Sequence, residues 1–170
     1  DPVTNQWTWM KGSHLIAQAG IYGTQGLAAP DHTPGARRIG LFWTDASGMN
    51  WLFGGSGFDG TGDRGFLNDL WRFDPVTNQW TWIHGSNTAD QAGVYGTQGL
   101  SAPANIPGSR RGGLGWTDRN GALWLFAGVG LDSAGDMGNL NDLWRYDIST
   151  GEFTWMKGSH RIDQPGIYGT

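Results

Sequence analysis

The sequence has no cysteine and a single glutamate, Glu152, among its 15 acidic residues. The lack of cysteine excludes disulfide bonds and thiolate metal sites. Lysine, another helix-forming residue, occurs only at Lys11 and Lys157. No apolar run is long enough to span a membrane, and no basic tract provides the charged surface of a nucleic-acid-binding protein. We therefore expect neither a membrane span nor a nucleic-acid partner.

Glycine and tryptophan are abundant instead, with 30 and 11 residues. Glycine, aspartate and asparagine favour turns, whereas tryptophan, phenylalanine and threonine suit strands. Together with the shortage of helix formers, this composition predicts an all-β protein.

A long internal repeat organises the chain. Residues 1–73 align with residues 74–146 without a gap, and 47 of the 73 positions are identical. Residues 147–170 begin a third copy. A repeat of this kind indicates an array of similar structural units. Because the chain begins in mid-repeat, we expect it to belong to a longer array or to associate with other chains.

Each repeat is predicted to form four short strands and a long connector. Apolar runs at 38–44 and 50–55 flank a tight turn, as in a β-hairpin. A loop rich in glycine and aspartate (56–66) leads to strands at 67–73 and 79–83. The connectors keep many residues between copies, which predicts an ordered loop with Tyr22 and Tyr95 packed as anchors.

Both units share three marks: a glycine doublet after the second strand, an aromatic residue on the third and tryptophan on the fourth. The positions are Gly54, Gly55, Trp71, Trp80 and Trp82 in the first unit and Gly128, Trp144 and Trp155 in the second. This pattern resembles the kelch repeat, although Ala127 replaces one glycine and the period exceeds the ~50 residues of kelch units. The resemblance implies β-propeller blades, which are four-stranded antiparallel sheets.

The resemblance also implies the division of the chain. We predict an outer strand of a preceding blade at 1–9, connectors at 10–36 and 84–109, complete blades at 37–83 and 110–156, and the start of the next connector at 157–170. A propeller needs about four to eight blades, so further repeats or self-association would close the ring. An open array would grow as a filament. Repeats of this long form resemble those of large exported bacterial proteins, which implies an extracellular or cell-surface location.

Alternating strand directions place the 56–66 loop and the 84–109 connector on the same side of a blade. Binding residues tend to lie on loops held by a rigid scaffold, so this side is the predicted binding face. Copies differ most there, at 14–17, 87–90 and 160–163, a pattern that drift in an exposed loop also explains. The candidate binding residues are Tyr22, Tyr95, Arg37, Arg110 and Asn87. The arginines belong to isolated doublets, for which ion pairs or loop anchoring is the alternative role.

The tryptophans allow two interpretations, platforms for sugars or packing between blades. Their period-two placement on strands favours the core for Trp71, Trp80 and Trp82. Trp43 and Trp116 are open to either interpretation.

Two acidic loops carry carboxylates four residues apart among glycines, which is compatible with calcium. The candidate ligands are Asp59, Asp63, Asp132 and Asp136. The alternative is that these aspartates cap turns, and the spacing of a known calcium loop is absent. No cofactor is otherwise predicted.

No catalytic residue is predicted, because near-identical units do not supply the different residues that converge in one active site. The histidines His14, His32, His84 and His160 lie scattered in the connectors. The leading hypothesis is therefore a non-enzymatic structural or interaction module whose partners are neighbouring repeats, copies of itself or another protein. The alternatives are a carbohydrate-binding propeller, a self-assembling filament unit and, third, a propeller glycosidase or lyase.

Overall fold

The structure, a computed structural model, describes residues 3–169. These residues form strands, turns and loops without a helix, so the predicted all-β class is confirmed. Among them, no helix has the length and apolarity needed to cross a membrane.

Two antiparallel sheets follow one another along the chain. The strands of the first are β1 (Ala28–Ala29), β2 (Arg37–Arg38), β3 (Leu41–Thr44), β4 (Asn50–Phe58), β5 (Arg64–Asp74) and β6 (Gln79–His84). Their order is β1-β6-β5-β4-β2, and β3 also pairs with β4. Because β2 and β3 together occupy one edge, the sheet has the four positions of a predicted blade plus β1 at the opposite edge.

The second sheet repeats the first. Its strands are β7 (Ser101–Ala102), β8 (Arg110–Arg111), β9 (Leu114–Thr117), β10 (Leu123–Leu131), β11 (Met137–Asp147) and β12 (Glu152–Lys157). The order is β7-β12-β11-β10-β8, with β9 paired to β10. We call the two sheets the first and second blades.

The connectors add the extra edge strand to each blade. In the first, Ala28 and Ala29 pair with Thr81 and Trp80 of β6, and the amide of Gly26 donates to the carbonyl of Trp82. The connector thus runs from the outer edge back to the inner strand of the same blade, and backbone hydrogen bonds order it.

The central hairpins are longer than predicted. Strands β4 and β5 continue beyond the glycine doublet, where Ser56 pairs with Phe66 and Phe58 with Arg64. The register shifts between Phe53 and Gly55. This β-bulge changes the twist of the hairpin formed by β4 and β5, and the two strands stay paired beyond it. The predicted 56–66 loop therefore shrinks to 59–63.

Left-handed backbone at the bulge explains the glycine mark. Gly54 has φ 61° and Gly55 has φ 107°, a region that suits glycine. Ala127 stands at the place of Gly54 in the second blade and has φ 63°. The bulge therefore has the same backbone in both blades, at a cost of about 1–2 kcal/mol for a left-handed non-glycine residue.

The outer strand predicted for 1–9 is not formed in residues 3–9, and the first two residues lie outside the described part. The equivalent segments β6 and β12 each pair with the long strand before them. Residues 6–9 lie outside the strands of both sheets. Trp7 is accordingly fully exposed and Trp9 two-thirds exposed.

The core lies between the blades. Trp51 packs on Tyr146 with 5.8 Å between ring centroids, and Phe53 packs on Phe153 at 6.0 Å. These rings belong to one cluster of buried apolar residues that spans both sheets. Three polar contacts accompany it: the Trp43 Nε1 donates to the Trp124 carbonyl at 3.0 Å, the Gly112 amide to the Ile39 carbonyl at 2.8 Å and the Thr117 hydroxyl to the Thr44 carbonyl at 3.4 Å.

Candidate functional site

A buried polar cluster lies inside the first blade. The guanidinium of Arg37 makes a two-pronged ion pair with the carboxylate of Asp69, at 2.6 and 2.7 Å. The same carboxylate accepts hydrogen bonds from the hydroxyl of Tyr22, at 2.5 Å, and from the indole of Trp71, at 2.7 Å. Arg37 also donates to the carbonyls of Gly35 and Gly54. The cluster thus joins the connector, the bulge and β5.

The second blade contains the same cluster, closed more tightly. Arg110 binds both oxygens of Asp142 at 2.6 and 2.7 Å. Tyr95 and Trp144 donate to that carboxylate at 2.6 and 2.8 Å. The Arg110 and Asp142 side chains are fully buried. A buried charge pair needs such additional hydrogen bonds to offset its desolvation.

The surroundings shift the pKa values of Asp142, Tyr22 and Tyr95. Burial alone would raise the pKa of Asp142, but the charge and hydrogen bonds of Arg110, with those of Tyr95 and Trp144, hold it below the usual value. Burial and the neighbouring carboxylates raise the pKa values of Tyr22 and Tyr95. Both tyrosines therefore stay protonated and act as hydrogen-bond donors.

The cluster gives four of the five candidate binding residues an internal position. Tyr22 and Tyr95 are each 5% exposed and Arg110 is 1% exposed, while the side chain of Arg37 is 7% exposed. Their polar groups face partners within their own blade. This arrangement agrees with tyrosines that anchor the connectors and with arginines that form ion pairs, the alternative role given above. Contact of these residues with an outside partner stays a prediction.

The loops on one side of the blades are held together by hydrogen bonds. The Gly60 amide donates to the carbonyl of Asn87, and the Ala89 amide donates to the Asp59 carboxylate at 2.9 Å. In the second blade the Ser133 amide donates to the His160 carbonyl. We call this surface the loop face and define it by residues 59–63, 86–90, 132–136 and 159–163. Asn87, the fifth candidate binding residue, lies exposed on it.

Two of the four candidate calcium ligands, Asp59 and Asp132, cap their own turns. Asp59 accepts hydrogen bonds from the amides of Thr61, Asp63 and Ala89 and from the Thr61 hydroxyl. Asp132 caps its loop in the same way through the amides of Ala134 and Asp136. Burial alone would raise the pKa of Asp59, but these hydrogen bonds outweigh that effect and lower it. Within residues 3–169, no three acidic or histidine side chains gather as metal ligands, and calcium stays a prediction.

The opposite side carries a groove that sequence reasoning missed. Tight turns of both blades enclose about 460 Å³ between Asp45, Ser47, Asn120, Arg145 and Asp147. The repeated Asp-x-x-Gly turns were the available signal, but only the packing of neighbouring blades brings two of them together. The carboxylates of Asp45 and Asp147, which line the groove, are already engaged: Asp45 accepts from the indole of Trp51 at 2.8 Å, and Asp147 pairs with Arg145 at 2.9 Å.

The tryptophans divide into core and surface. Trp71 and Trp144 are fully buried, whereas Trp80, Trp82 and Trp155 are half-buried. Trp43 is 5% exposed at the junction of the blades, but its counterpart Trp116 is 43% exposed. Repeat copies therefore place the same residue type in different environments according to the neighbouring blade.

Comparison with known proteins points to the same fold. The kelch motif matches residues 51–81, from the start of β4 into β6. No curated protein matches the chain. The structure of YjhT is similar, with a TM-score of 0.52 at 18% identity over 76% of this chain and 39% of that one. The chain thus spans less than half the length of YjhT, a kelch-type β-propeller, and the likeness shows the fold.

Proposed function

The chain is a kelch-type repeat protein with propeller-like blades, and we propose that it is a non-enzymatic module that binds a protein partner through the loop face. Kelch repeats are in general a non-catalytic fold for protein interaction. The proposal assigns that general role to one particular surface of this chain. By resemblance to the long repeats of exported proteins, we place this role outside the cell or at its surface.

One observation supports the loop face above other surfaces: it has a constant backbone and variable side chains. Ala17, Asp90 and Asp163 occupy equivalent positions of the three copies, and their φ angles are 58°, 57° and 53°. The three residues before each of them vary between copies: the middle position, Leu15, Thr88 or Arg161, differs in all three, and the other two are shared by the first and third copies. A fixed scaffold with changing side chains is the arrangement that loop-based recognition uses.

Photo-crosslinking tests the proposal directly. A benzoylphenylalanine at Asn87 reports contacts of the loop face, and the same group at Ser47 reports the turn side as a matched control, since both residues are exposed. Each protein is irradiated with an extract of the source cells. We expect a discrete adduct from position 87 that is absent from position 47. No adduct at position 87, or the same adducts from both positions, would contradict the proposal.

Carbohydrate binding is the second candidate, and the exposed Trp116 is the observation that favours it. Its ring stacks on Trp124 with an interplanar angle of 8°, which gives a flat aromatic surface. Three of the candidate binding residues, Tyr22, Tyr95 and Arg110, are buried and offer no such surface. Saturable binding on a glycan array that Trp116→Ala abolishes would support a lectin, whereas a clean negative on a broad array counts against it.

A further inference from the structure

His84 interrupts the repeat at a position where the other two copies have lysine. Lys11 and Lys157 stand 73 residues before and after it. His84 ends β6 in the first blade. Its ring packs edge-on against Phe153 of the second blade, with 5.4 Å between ring centroids and 86° between ring planes. The imidazole therefore bridges the two blades.

Both ring nitrogens of His84 have partners, and these partners fix the tautomer. The Gly85 amide donates to Nδ1 at 2.9 Å, so Nδ1 carries no proton. Because proline has no amide hydrogen, the hydrogen bond with Pro103 has the proline carbonyl as acceptor and the Nε2 hydrogen as donor. Pro103 follows β7 of the second blade. A neutral imidazole thus joins the end of β6 to that blade at two points, Pro103 and Phe153.

The turn that follows His84 is the same in both blades, although the second blade has Lys157 at this position. Gly85 has φ 86° and its counterpart Gly158 has φ 83°. The next amide in each turn donates to an asparagine side chain of the adjacent long strand, at 3.1 and 2.9 Å. Lysine has no acceptor for the glycine amide. The turn therefore forms without the imidazole, and the ring is the part that is able to move.

Protonation of His84 removes one hydrogen bond and displaces the ring from the other. An imidazolium carries hydrogen on both nitrogens, so its Nδ1 hydrogen would point at the amide hydrogen of Gly85. That glycine is closely packed, because a Cβ atom on it would lie 2.2 Å from the carbonyl oxygen of Asn68. Rotation of the ring relieves the contact but takes Nε2 away from Pro103, since both nitrogens belong to one rigid plane.

The surroundings of the ring provide no opposite charge for an imidazolium. A cavity of about 310 Å³ beside His84 is lined by Gln25 of the first connector, Asn68 of β5, and Gln91 and Ile106 of the second connector. Apart from His84 itself, none of the described residues that line this cavity is charged or titratable, and neither is Phe153. Burial therefore disfavours the charged ring and lowers the pKa of His84.

We propose that His84 is an acid-sensitive clamp between the blades: the neutral ring holds Pro103 and Phe153 of the second blade against the end of β6, and protonation releases them. The clamp is specific to this position, because lysine in the other copies is charged at neutral pH and accepts no hydrogen bond. The inference concerns the chain alone, so it is independent of whether the loop face binds a partner.

The direction of the pH dependence follows from the two forms of the clamp. A released ring in water has a pKa of about 6.5, whereas the clamped ring has a lower one. The clamped form is therefore favoured above about pH 6.5, and it is lost as the pH falls. Between the two pKa values, the ratio of released to clamped protein should increase by up to about tenfold for each pH unit.

Nuclear magnetic resonance of isotope-labelled protein tests the clamp directly. At neutral pH the ring of His84 should have an unprotonated Nδ1 and a protonated Nε2, and nuclear Overhauser effects should connect it to Phe153. Both signals should disappear together as the pH is lowered below about 6.5. Amide resonances of residues 99–106 and 152–156, which surround Pro103 and Phe153, should move with the same midpoint.

Two variants separate the clamp from other effects of acid. His84→Gln keeps an uncharged polar side chain and should abolish this movement of the amide resonances. His84→Lys introduces the residue of the other copies and should give the acid-form resonances already at neutral pH. The proposal is overturned if Nδ1 carries the proton at neutral pH, if the contacts with Phe153 survive protonation, if the amides titrate equally in His84→Gln, or if His84→Lys retains the neutral-form resonances.

Discussion

Replacing Asp142 by asparagine should be among the most damaging single changes in the second blade. The substitution keeps the shape of the side chain but removes its charge. Arg110 would then be left buried without a counter-ion, because the carbonyls of Gly108 and Ala127, to which it also donates, carry no charge. Tyr95 and Trp144 would compete for the one remaining amide oxygen.

The expected cost follows from the burial of the pair. Removing one partner of a buried ion pair destabilises a protein by about 3–5 kcal/mol, because the other charge remains desolvated. A domain with a typical stability of about 5–15 kcal/mol would lose a large fraction of it. Most of that cost belongs to the unpaired guanidinium. The double variant Arg110→Met, Asp142→Asn should therefore be more stable than Asp142→Asn alone.

Urea denaturation followed by tryptophan fluorescence measures the effect. The matched control is Asp147→Asn, because Asp147 pairs with Arg145 where both side chains remain about 30% exposed, and surface pairs contribute only about 0–1 kcal/mol. A loss for Asp142→Asn no larger than the control's would refute the reasoning, and so would a double variant less stable than the single one.

The loss of stability at acidic pH gives an independent check on the Asp142 carboxylate. Its folded-state pKa lies below the usual value, so its stabilising contribution is complete above about pH 4 and is lost as the pH falls through the folded pKa. Wild type should lose stability in that range. Asp142→Asn should lose less of its remaining stability on acidification.

Three further predictions concern other contacts. Burial lowers the pKa of His84 and outweighs a hydrogen bond to Pro103 that would raise it. The free energy of unfolding should therefore be highest above about pH 6.5 and decline below it, as the unfolded chain takes up a proton more readily. Urea midpoints measured above and below about pH 6.5 should differ in wild type, and this difference should disappear in His84→Gln. A Cβ atom at Gly115 would lie 2.7 Å from the Trp43 Nε1, so Gly115→Ala should lower the free energy of unfolding by about 1–3 kcal/mol through overpacking. Equal melting temperatures of variant and wild type would contradict this prediction. Calcium should leave the melting temperature unchanged, because the Asp59 oxygens already accept hydrogen bonds from the chain, and a calcium-dependent rise that Asp59→Asn abolishes would show otherwise.

The repeat made most of the architecture predictable. Alternating apolar residues and Asp-x-x-Gly turns identified β3, β4 and their hairpin, because local pattern and local turn chemistry determine them. Extension of the central hairpin beyond Gly55 was not predictable, since a glycine-rich stretch has no alternation to show which face it turns inward. The short edge strand at Ala28 depends on pairing with Thr81 far along the chain, which local sequence does not report.

The candidate site was less predictable, and the reason is cooperative burial. Tyr22, Arg37 and Asp69 are 15 and 32 residues apart in sequence, so only the folded blade shows that they meet. Each alone looks like a residue available for binding. Their repetition at a fixed phase was a sign of structural use, because the same residues recur wherever the same scaffold is rebuilt.

The buried clusters also explain how the loop face combines a constant backbone with variable side chains. Tyr95 belongs to the connector and Asp142 to β11, so their hydrogen bond fixes the connector to the centre of its blade. Asp59 then holds the amide of Ala89 in the next segment. Because these anchors lie beneath the surface, side chains between them are free to change without moving the backbone. A variant that breaks a cluster should therefore alter the loop face at a distance, whereas substitutions at Asn87 should alter recognition and leave the fold intact.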